Sequence, residues 1–222
     1  MVLEVIQREI PLRGIGYLVL RDCPEDRLGE ALGRGMERLK KAGAKTVWAT
    51  SLPEGEPLHS GPIGVWRLTH VYDTLRMECP LNGRERPAEK LTLRPLKRSA
   101  DDKAYVELIN RSCADIPTAR TVTASELRQQ GRRHGLVYRG EDLIGCYRLE
   151  LGEKIPEISA LAVAPEFRGQ GLGRLLLQNL LSSLRTPICA LTVPSRSTEA
   201  IRLFESEGFT QTGILTSWFE VV

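Results

Sequence analysis

The stretch from Leu161 to Leu184 constrains the fold of this chain more than any other part of the sequence. It starts with three apolar residues typical of a strand, breaks at Pro165, and continues into a leucine-rich run with helical spacing. Between the break and the helix, glycines occupy alternate positions, namely Gly169, Gly171 and Gly173. A strand, a glycine loop and a helix in this order direct several main-chain N–H groups towards one anion. The sequence therefore predicts a phosphate-binding loop.

The spacing of the loop residues distinguishes between kinds of phosphate loop. A P-loop has Lys and then Ser or Thr after its last glycine, whereas Gly173 is followed by Arg174 and Leu175. A dinucleotide-binding loop has the spacing GxGxxG, whereas this loop has GxGxG. The pattern Arg/Gln-x-x-Gly-x-Gly/Ala is met by Arg168, Gly171 and Gly173. In this respect the stretch resembles the acetyl-CoA pyrophosphate loop of the GCN5-related N-acetyltransferases (GNATs). The alternative is a glycine-rich turn that serves packing alone.

A second motif that resembles this family lies between Val193 and Phe209. In the family this segment follows a pattern like Val-x-x-x-Asn-x-x-Ala-x-x-Leu-Tyr-x-x-x-Gly-Phe. The chain matches the pattern at Val193, Ala200, Leu203, Gly208 and Phe209. It departs from it at Ser197, which replaces Asn, and at Phe204, which replaces Tyr. In many relatives that tyrosine protonates the leaving thiolate, so Phe204 leaves the source of this proton open.

The resemblance covers residues 91–222, where the predicted element order is β-α-α-β-β-β-α-β-α-β-β. It implies an α/β (α+β) fold with a mixed, mostly antiparallel central sheet flanked by helices, preceded by an N-terminal α/β extension. It also implies an N-acetyltransferase that moves an acetyl group from acetyl-CoA to a primary amine. A non-catalytic module that binds acyl-CoA is the alternative. By this resemblance the cofactor-binding residues are Leu161, Ala162, Val163, Arg168, Gly169, Gln170, Gly171, Leu172, Gly173, Arg174, Ser197 and Phe204.

Removal of a proton from the acceptor amine needs a base, and Glu157 is our candidate. It lies four residues before Leu161 in a predicted strand over 155–163. Its segment, Glu-Ile-x-x-x-Ala-x, resembles the same strand in histone-type members of the family, where a glutamate acts as base through water. A positioned carboxylate can take such a proton near neutral pH. Glu150 and Glu153 are equally placed alternatives, and Glu157 is otherwise a solvated strand residue.

The acceptor pocket of such a fold is expected between the two early helices and the last strands of 91–222. Candidate lining residues are Tyr105, His134, Tyr147 and Trp218, although each is equally suited to packing. The sequence does not identify the acceptor.

Residues 1–90 repeat the strand, helix, strand order in weaker form. A predicted strand over 16–20 leads into a helix from Pro24 to Gly43, and a second strand follows over 46–50. Acidic residues and Leu28 surround the turn that corresponds to the glycine loop, and they would repel or block a phosphate. We interpret this part as a degenerate half-domain without a cofactor; an unrelated α/β extension is the alternative. The polar segment over 81–90 predicts a boundary between domains 1–90 and 91–222.

Charge and composition exclude several classes of partner. The net charge is only +3 and no basic stripe is present, so nucleic acid is not expected. No apolar run reaches membrane-spanning length. The five cysteines and three histidines have neither disulfide nor metal-ligand spacing, which favours a reducing cytoplasm and no metal site. Expected partners are acetyl-CoA and an amine acceptor, and the sequence leaves a homodimer open.

Overall fold

The computed structural model describes residues 2–21, 23–52, 57–84, 86–97, 99–114, 116, 121–128, 132–151 and 155–222. The chain forms two compact units. The first comprises Met1–Leu75, Val193–Ser197 and Gly213–Val222, and the second comprises Arg76–Thr192 and Thr198–Thr212. The boundary between the two units thus falls before the polar segment over 81–90. The C-terminal residues of the chain belong to the first unit. The domain limits 1–90 and 91–222 stay a prediction from the sequence.

The described elements follow one another along the chain as strands, α-helices and two short 3-10 helices. They are β1 (Val2–Ile6), α1 (Ile10–Arg13), β2 (Ile15–Arg21), α2 (Glu25–Lys41), β3 (Thr46–Ser51), β4 (Gly61–Ile63), β5 (Trp66–Pro80), β6 (Thr92–Pro95), α3 (Ser99–Ser112), a 3-10 helix (Ala124–Arg128), β7 (Arg132–Arg139), β8 (Asp142–Leu151), β9 (Pro156–Val163), a 3-10 helix (Pro165–Phe167), α4 (Leu172–Ser183), β10 (Ile188–Pro194), α5 (Thr198–Ser206) and β11 (Thr210–Val221).

In the first unit the strands lie in the order β1-β2-β3-β11-β5, with β4 beside β5. The crossover helix α2 begins after Pro24, and acidic residues in its first turn favour its positive end. Its apolar stripe is buried, which confirms the predicted helical spacing; the stripe consists of Leu28, Leu32, Met36 and Leu39. Strands β2 and β3 are parallel and paired over six positions, from Ile15 opposite Thr46 to Leu20 opposite Ser51.

In the second unit the strands lie in the order β5-β10-β9-β8-β7-β6. The pairs from β6 to β9 are antiparallel, and β9 and β10 are parallel. Helix α3 packs on one face of the sheet, where Tyr105 belongs to the same core cluster as Cys146 and Ala162. Helix α4 packs on the other face, where a Cβ added to Gly145 would lie 2.6 Å from Leu176 Cδ1. The fold class predicted from the sequence, a mostly antiparallel sheet flanked by helices, is confirmed.

Two predicted elements differ from the observed ones. The pattern Thr123-x-x-Glu126 predicts a capped second helix that ends near Gly131. The observed turn is a 3-10 helix, and its capping interaction is present: Thr123 N donates to Glu126 Oε2 at 2.9 Å. Its predicted end near Gly131 lies outside the described residues. The two strands predicted at the C-terminus form one strand, β11, because Gly213 keeps an extended backbone and does not interrupt it. Strand β1 and helix α1 carry no clear periodicity and were not predicted.

Candidate active site

Strands β9 and β10 separate soon after they meet. Their pairing is limited to Glu157 opposite Ala190 and Ile158 opposite Leu191. On its other side β9 stays paired with β8 as far as Val163, which lies opposite Gly145. Within the described chain, the later half of β9 therefore has an edge that β10 does not cover.

The direction of the main-chain groups on this edge follows from a hydrogen bond at the end of β9. Ala164 N donates to Ile144 O at 2.9 Å, so residue 164 faces β8. In a strand the N–H and C=O groups of one residue point to the same side, and this side alternates from residue to residue. Residue 162 therefore also faces β8, whereas Leu161 and Val163 face the β10 side. A Cβ added to Gly145 would lie 2.5 Å from Ala162 O, which agrees with this direction. The open edge of β9 thus presents the main-chain N–H and C=O groups of Leu161 and Val163.

A β-bulge lies just before this edge. Arg148 is opposite Ala160 and Leu149 is opposite Ile158, so Ser159 is an extra residue on β9. The Ser159 hydroxyl accepts a hydrogen bond from Arg148 Nε at 2.7 Å and donates one to Glu150 Oε1 at 3.0 Å. Sequence reasoning missed Ser159 and Arg148, because an extra strand residue leaves no pattern in a short, largely apolar segment.

The predicted loop has the backbone conformation that its glycines suggest. Gly169 and Gly171 have φ values of 74° and 75°, in the left-handed region that disfavours residues with a Cβ. A Cβ added to either would have no neighbour within 4 Å, so the space above the loop is open. Gly171 is the N-cap of α4, and the first N–H groups of a helix have no intrahelical acceptor. This combination can bind an anionic group through the main chain.

The charged side chains of the loop are engaged with other parts of the second unit. Arg168 Nη2 donates to Ser112 O, at the end of α3, at 2.7 Å. Beside this contact, Arg111 and Glu166 form an ion pair at 2.9 Å. Arg174 donates to Ser206 Oγ at 2.9 Å, and its Nε lies 3.3 Å from Glu207. We therefore expect Arg168 and Arg174 to order the loop, and the main chain to make the contacts with a ligand.

The remaining predicted cofactor residues differ in exposure. Gln170 is exposed, whereas Leu172 is buried in the core and has only its N–H to offer. Ser197 lies directly before α5 within the first compact unit, where its N–H donates to Pro194 O at 2.9 Å. Phe204 is buried, and its ring packs edge-on against Phe209 with the centroids 5.9 Å apart.

Glu157, the predicted base, lies where β9 is still paired with β10. Its Oε2 is 3.2 Å from Arg76 Nη1, and its side chain is 24% exposed. Leu161 lies four residues further along the strand, about 13 Å away. The alternative Glu150 has both oxygens engaged, since Arg132 Nε donates to Oε2 at 2.8 Å and Ser159 donates to Oε1. Glu153 lies outside the described residues.

The aromatic and histidine side chains proposed for the acceptor pocket are divided among different surroundings. Tyr105 and His134 are buried together, with ring centroids 5.1 Å apart, and burial raises the pKa of the Tyr105 phenol well above its usual value. Tyr147 lies on the opposite face of the sheet, against Gly135. Trp218 packs in the first unit between Tyr17 and Tyr72.

Comparison with known proteins agrees with this geometry. Residues 130–211 match the family model of the acetyltransferase (GNAT) domain. The mycothiol acetyltransferase of Thermobispora bispora is 30% identical to this chain, over 90% of the chain and 77% of the relative. The chain belongs to the GNAT acetyltransferase superfamily. It is accordingly an N-acetyltransferase.

Two further relatives match different shares of this GNAT acetyltransferase. The N-alpha-acetyltransferase RimI of Mycobacterium tuberculosis is 32% identical, but over only 29% of this chain and 41% of the relative. A GCN5-related N-acetyltransferase from Sphaerobacter thermophilus aligns in structure with a TM-score of 0.62 and 15% identity, over 99% of this chain and 75% of that chain. The fold similarity thus includes the first unit.

None of the helices in the described ranges is both long and apolar enough to cross a membrane. Among the described residues, no three His, Cys, Asp or Glu side chains are grouped so that they could hold a metal ion.

Proposed function

We propose that this protein transfers an acetyl group from acetyl-CoA to a primary amine at the open edge of β9. The observation that carries the proposal is the separation of β9 from β10 after Ile158, directly before the glycine loop. An extended pantetheine arm has amide groups that can pair with such an edge in the manner of a strand. The groups that face this arm are those of Leu161 and Val163.

The residues of the loop fit the pyrophosphate of the same cofactor. Gly169 and Gly171 leave open space above the main chain, and the start of α4 adds free N–H groups and the positive end of the helix dipole. When bound, acetyl-CoA supplies the activated acetyl group. The chain holds it in place and can donate an N–H from the β9 edge to the thioester oxygen, where negative charge develops.

We assign removal of the acceptor proton to Glu157. One of its oxygens, Oε2, is held by Arg76, which fixes the orientation of the carboxylate. Among the described residues Oε1 has no hydrogen-bond partner, so it is the oxygen that can accept a proton from an amine or from a bridging water.

The acceptor is proposed to be the kind used by the mycothiol acetyltransferases and not a protein N-terminus. The mycothiol acetyltransferase of Thermobispora bispora matches 90% of the chain, whereas the RimI match is confined to 29% of it. The acceptor pocket is expected outside the glycine loop, so similarity along most of the chain is the better guide to the acceptor. The five free cysteines support a reducing compartment, the cytoplasm.

A binding module without catalysis is the second candidate, and the observation that favours it is Phe204. Its buried ring lacks the phenol of many relatives, so a common source of the thiolate proton is missing. Release of CoA in the presence of amines tests both candidates. The mixture should contain acetyl-CoA, the purified chain, and in turn the mycothiol acetyltransferase acceptor, N-terminal peptides and simple polyamines. Turnover with the first of these supports the proposal. Calorimetric binding of acetyl-CoA without turnover of any amine would favour the binding module.

A further inference from the structure

The contacts around Ser159 suggest a role for two residues of β8 in the reaction. We propose that Arg148, Glu150 and Ser159 form a positioning clamp, here named the Ser159 clamp, which fixes the main chain of β9 for acetyl transfer. The inference rests on the proposed function, since it concerns the same edge of β9. The three residues position the main chain of β9 and do not themselves contact the acetyl group or the amine.

The clamp holds Ser159, on β9, through two side chains of β8. The Ser159 hydroxyl accepts from Arg148 Nε at 2.7 Å and donates to Glu150 Oε1 at 3.0 Å. Arg148 Nη2 also reaches Ser159 O at 3.4 Å, so the guanidinium contacts both the side chain and the main chain of the extra residue. Arg148 and Glu150 are 28% and 29% exposed, and hydrogen bonds to charged groups in such partly buried places are stronger than those at the surface.

The presence of the bulge decides which main-chain groups face β10. One extra residue reverses the alternation of a strand, so loss of the bulge, with a one-residue slip of the register that follows it, would exchange the two sides. Ala160 and Ala162 would then face the open edge in place of Leu161 and Val163. The Ser159 clamp keeps the bulge at one residue, two positions before Leu161, and so fixes the direction of the N–H that serves the thioester oxygen.

The surroundings of Glu150 indicate positioning and not proton transfer. One of its oxygens accepts from Arg132 Nε at 2.8 Å, and the other lies 3.3 Å from Arg148 Nε and accepts from Ser159. Both oxygens are therefore occupied by donors. The carboxylate is suited to hold Ser159, whereas Glu157 keeps an oxygen available for an acceptor proton.

The test is Ser159→Ala, which removes both hydrogen bonds of the hydroxyl and little volume. We expect kcat to fall by about 10- to 100-fold, because a misdirected oxyanion donor and a small misplacement have costs of this order. The KM for acetyl-CoA should change less than kcat, because the substitution leaves the glycine loop intact while it misdirects the N–H that serves the transition state. Ser159→Thr keeps the hydroxyl and should restore most of the activity. Ser182→Ala is the control, because it removes a serine hydroxyl bonded to Gln178 O at 2.8 Å on α4, and it should behave as wild type.

A second readout does not depend on turnover. In protein labelled with ¹⁵N-leucine, Ser159→Ala should shift the Leu161 amide resonance and speed its hydrogen exchange, and Ser182→Ala should do neither. If wild type acetylates no amine, the proposed function fails while this measurement still tests the clamp. An active wild type together with a Ser159→Ala variant of unchanged kcat and unchanged Leu161 resonance would overturn the clamp. So would an equal loss with Ser159→Thr.

Discussion

Two glycines of the loop proposed to bind the cofactor allow a matched pair of substitutions with opposite expected effects. Gly171 has φ 75° and is the N-cap of α4, whereas Gly173 lies inside the helix with ordinary helical angles. Adding the same methyl group to each, as Gly171→Ala and Gly173→Ala, changes the loop by one carbon atom at positions two residues apart. The family pattern, which allows Gly or Ala at the second position only, agrees with this contrast.

The magnitudes follow from the local geometry. Ala in the left-handed region costs about 1–2 kcal/mol of folding stability, and no atom within 4 Å adds a clash at Gly171. Ala at Gly173 would contact Leu203 Cδ2 at 3.5 Å and Val163 Cγ2 at 3.8 Å, both ordinary distances, and gains up to about 1 kcal/mol of helix propensity. The two variants should therefore differ by roughly 1–3 kcal/mol. Since about 1 kcal/mol shifts Tm by about 2–4 °C in chains of this size, the difference is measurable.

Affinity for acetyl-CoA should separate the variants further. The methyl of Gly171→Ala occupies the open space above the loop and holds the pyrophosphate away from the N–H groups. Each hydrogen bond to a charged group contributes about 1.5–3 kcal/mol, so the affinity should fall by about 10- to 100-fold. Gly171→Glu adds a like charge, worth about 3 kcal/mol at about 5 Å and an effective dielectric constant of about 20, and should bind more weakly still.

Isothermal titration calorimetry with acetyl-CoA, together with thermal denaturation of the free protein, measures both quantities. Gly173→Ala should bind within about threefold of wild type. Wild-type affinity in Gly171→Ala, or an equal loss in Gly173→Ala, would show that this loop does not hold the cofactor as described. Two equal sites per chain would refute the interpretation that only the second unit binds it.

Three further substitutions test individual side chains. Phe204→Tyr should leave kcat within a few-fold of wild type or raise it, because the thiolate already leaves without a phenol there; a large loss at unchanged acetyl-CoA affinity would contradict this. Glu157→Gln should lower kcat/KM about 100-fold near neutral pH, with recovery as pH rises and free amine accumulates, whereas an unchanged pH–rate profile would clear Glu157 of the role. Tyr72→Phe should raise the free energy of unfolding in urea by about 1 kcal/mol, because the buried Tyr72 hydroxyl has no partner among the described residues. A lower stability would mean that this hydroxyl is bonded after all.

The sequence predicted the local structure around the glycine loop well. Glycine spacing and apolar periodicity predict the strand, the loop and the helix of the stretch from Leu161 to Leu184, because both are local properties of the chain. The capping interaction between Thr123 and Glu126 was predicted for the same reason, although the turn it starts is a 3-10 helix.

What the sequence could not show are features set by pairing between strands. The separation of β9 from β10 depends on register, and an extra residue such as Ser159 is visible only when two strands are aligned. The ion pair of Glu157 with Arg76 joins residues 81 positions apart, so no local pattern reports it. The full pairing of β2 with β3 likewise distinguishes the first unit from the second, where the corresponding strands separate.

The two contacts between the end of α3 and the loop, Arg168 with Ser112 and Arg111 with Glu166, have a consequence for cooperativity. They tie the end of α3 to the glycine loop, so a shift of one favours a shift of the other. An acceptor that moves α3 on binding would thereby change the affinity for acetyl-CoA, and thermodynamic reciprocity requires that acetyl-CoA change the affinity for that acceptor by the same factor. Removing either arginine contact should reduce this coupling and make the binding of the two substrates more nearly independent.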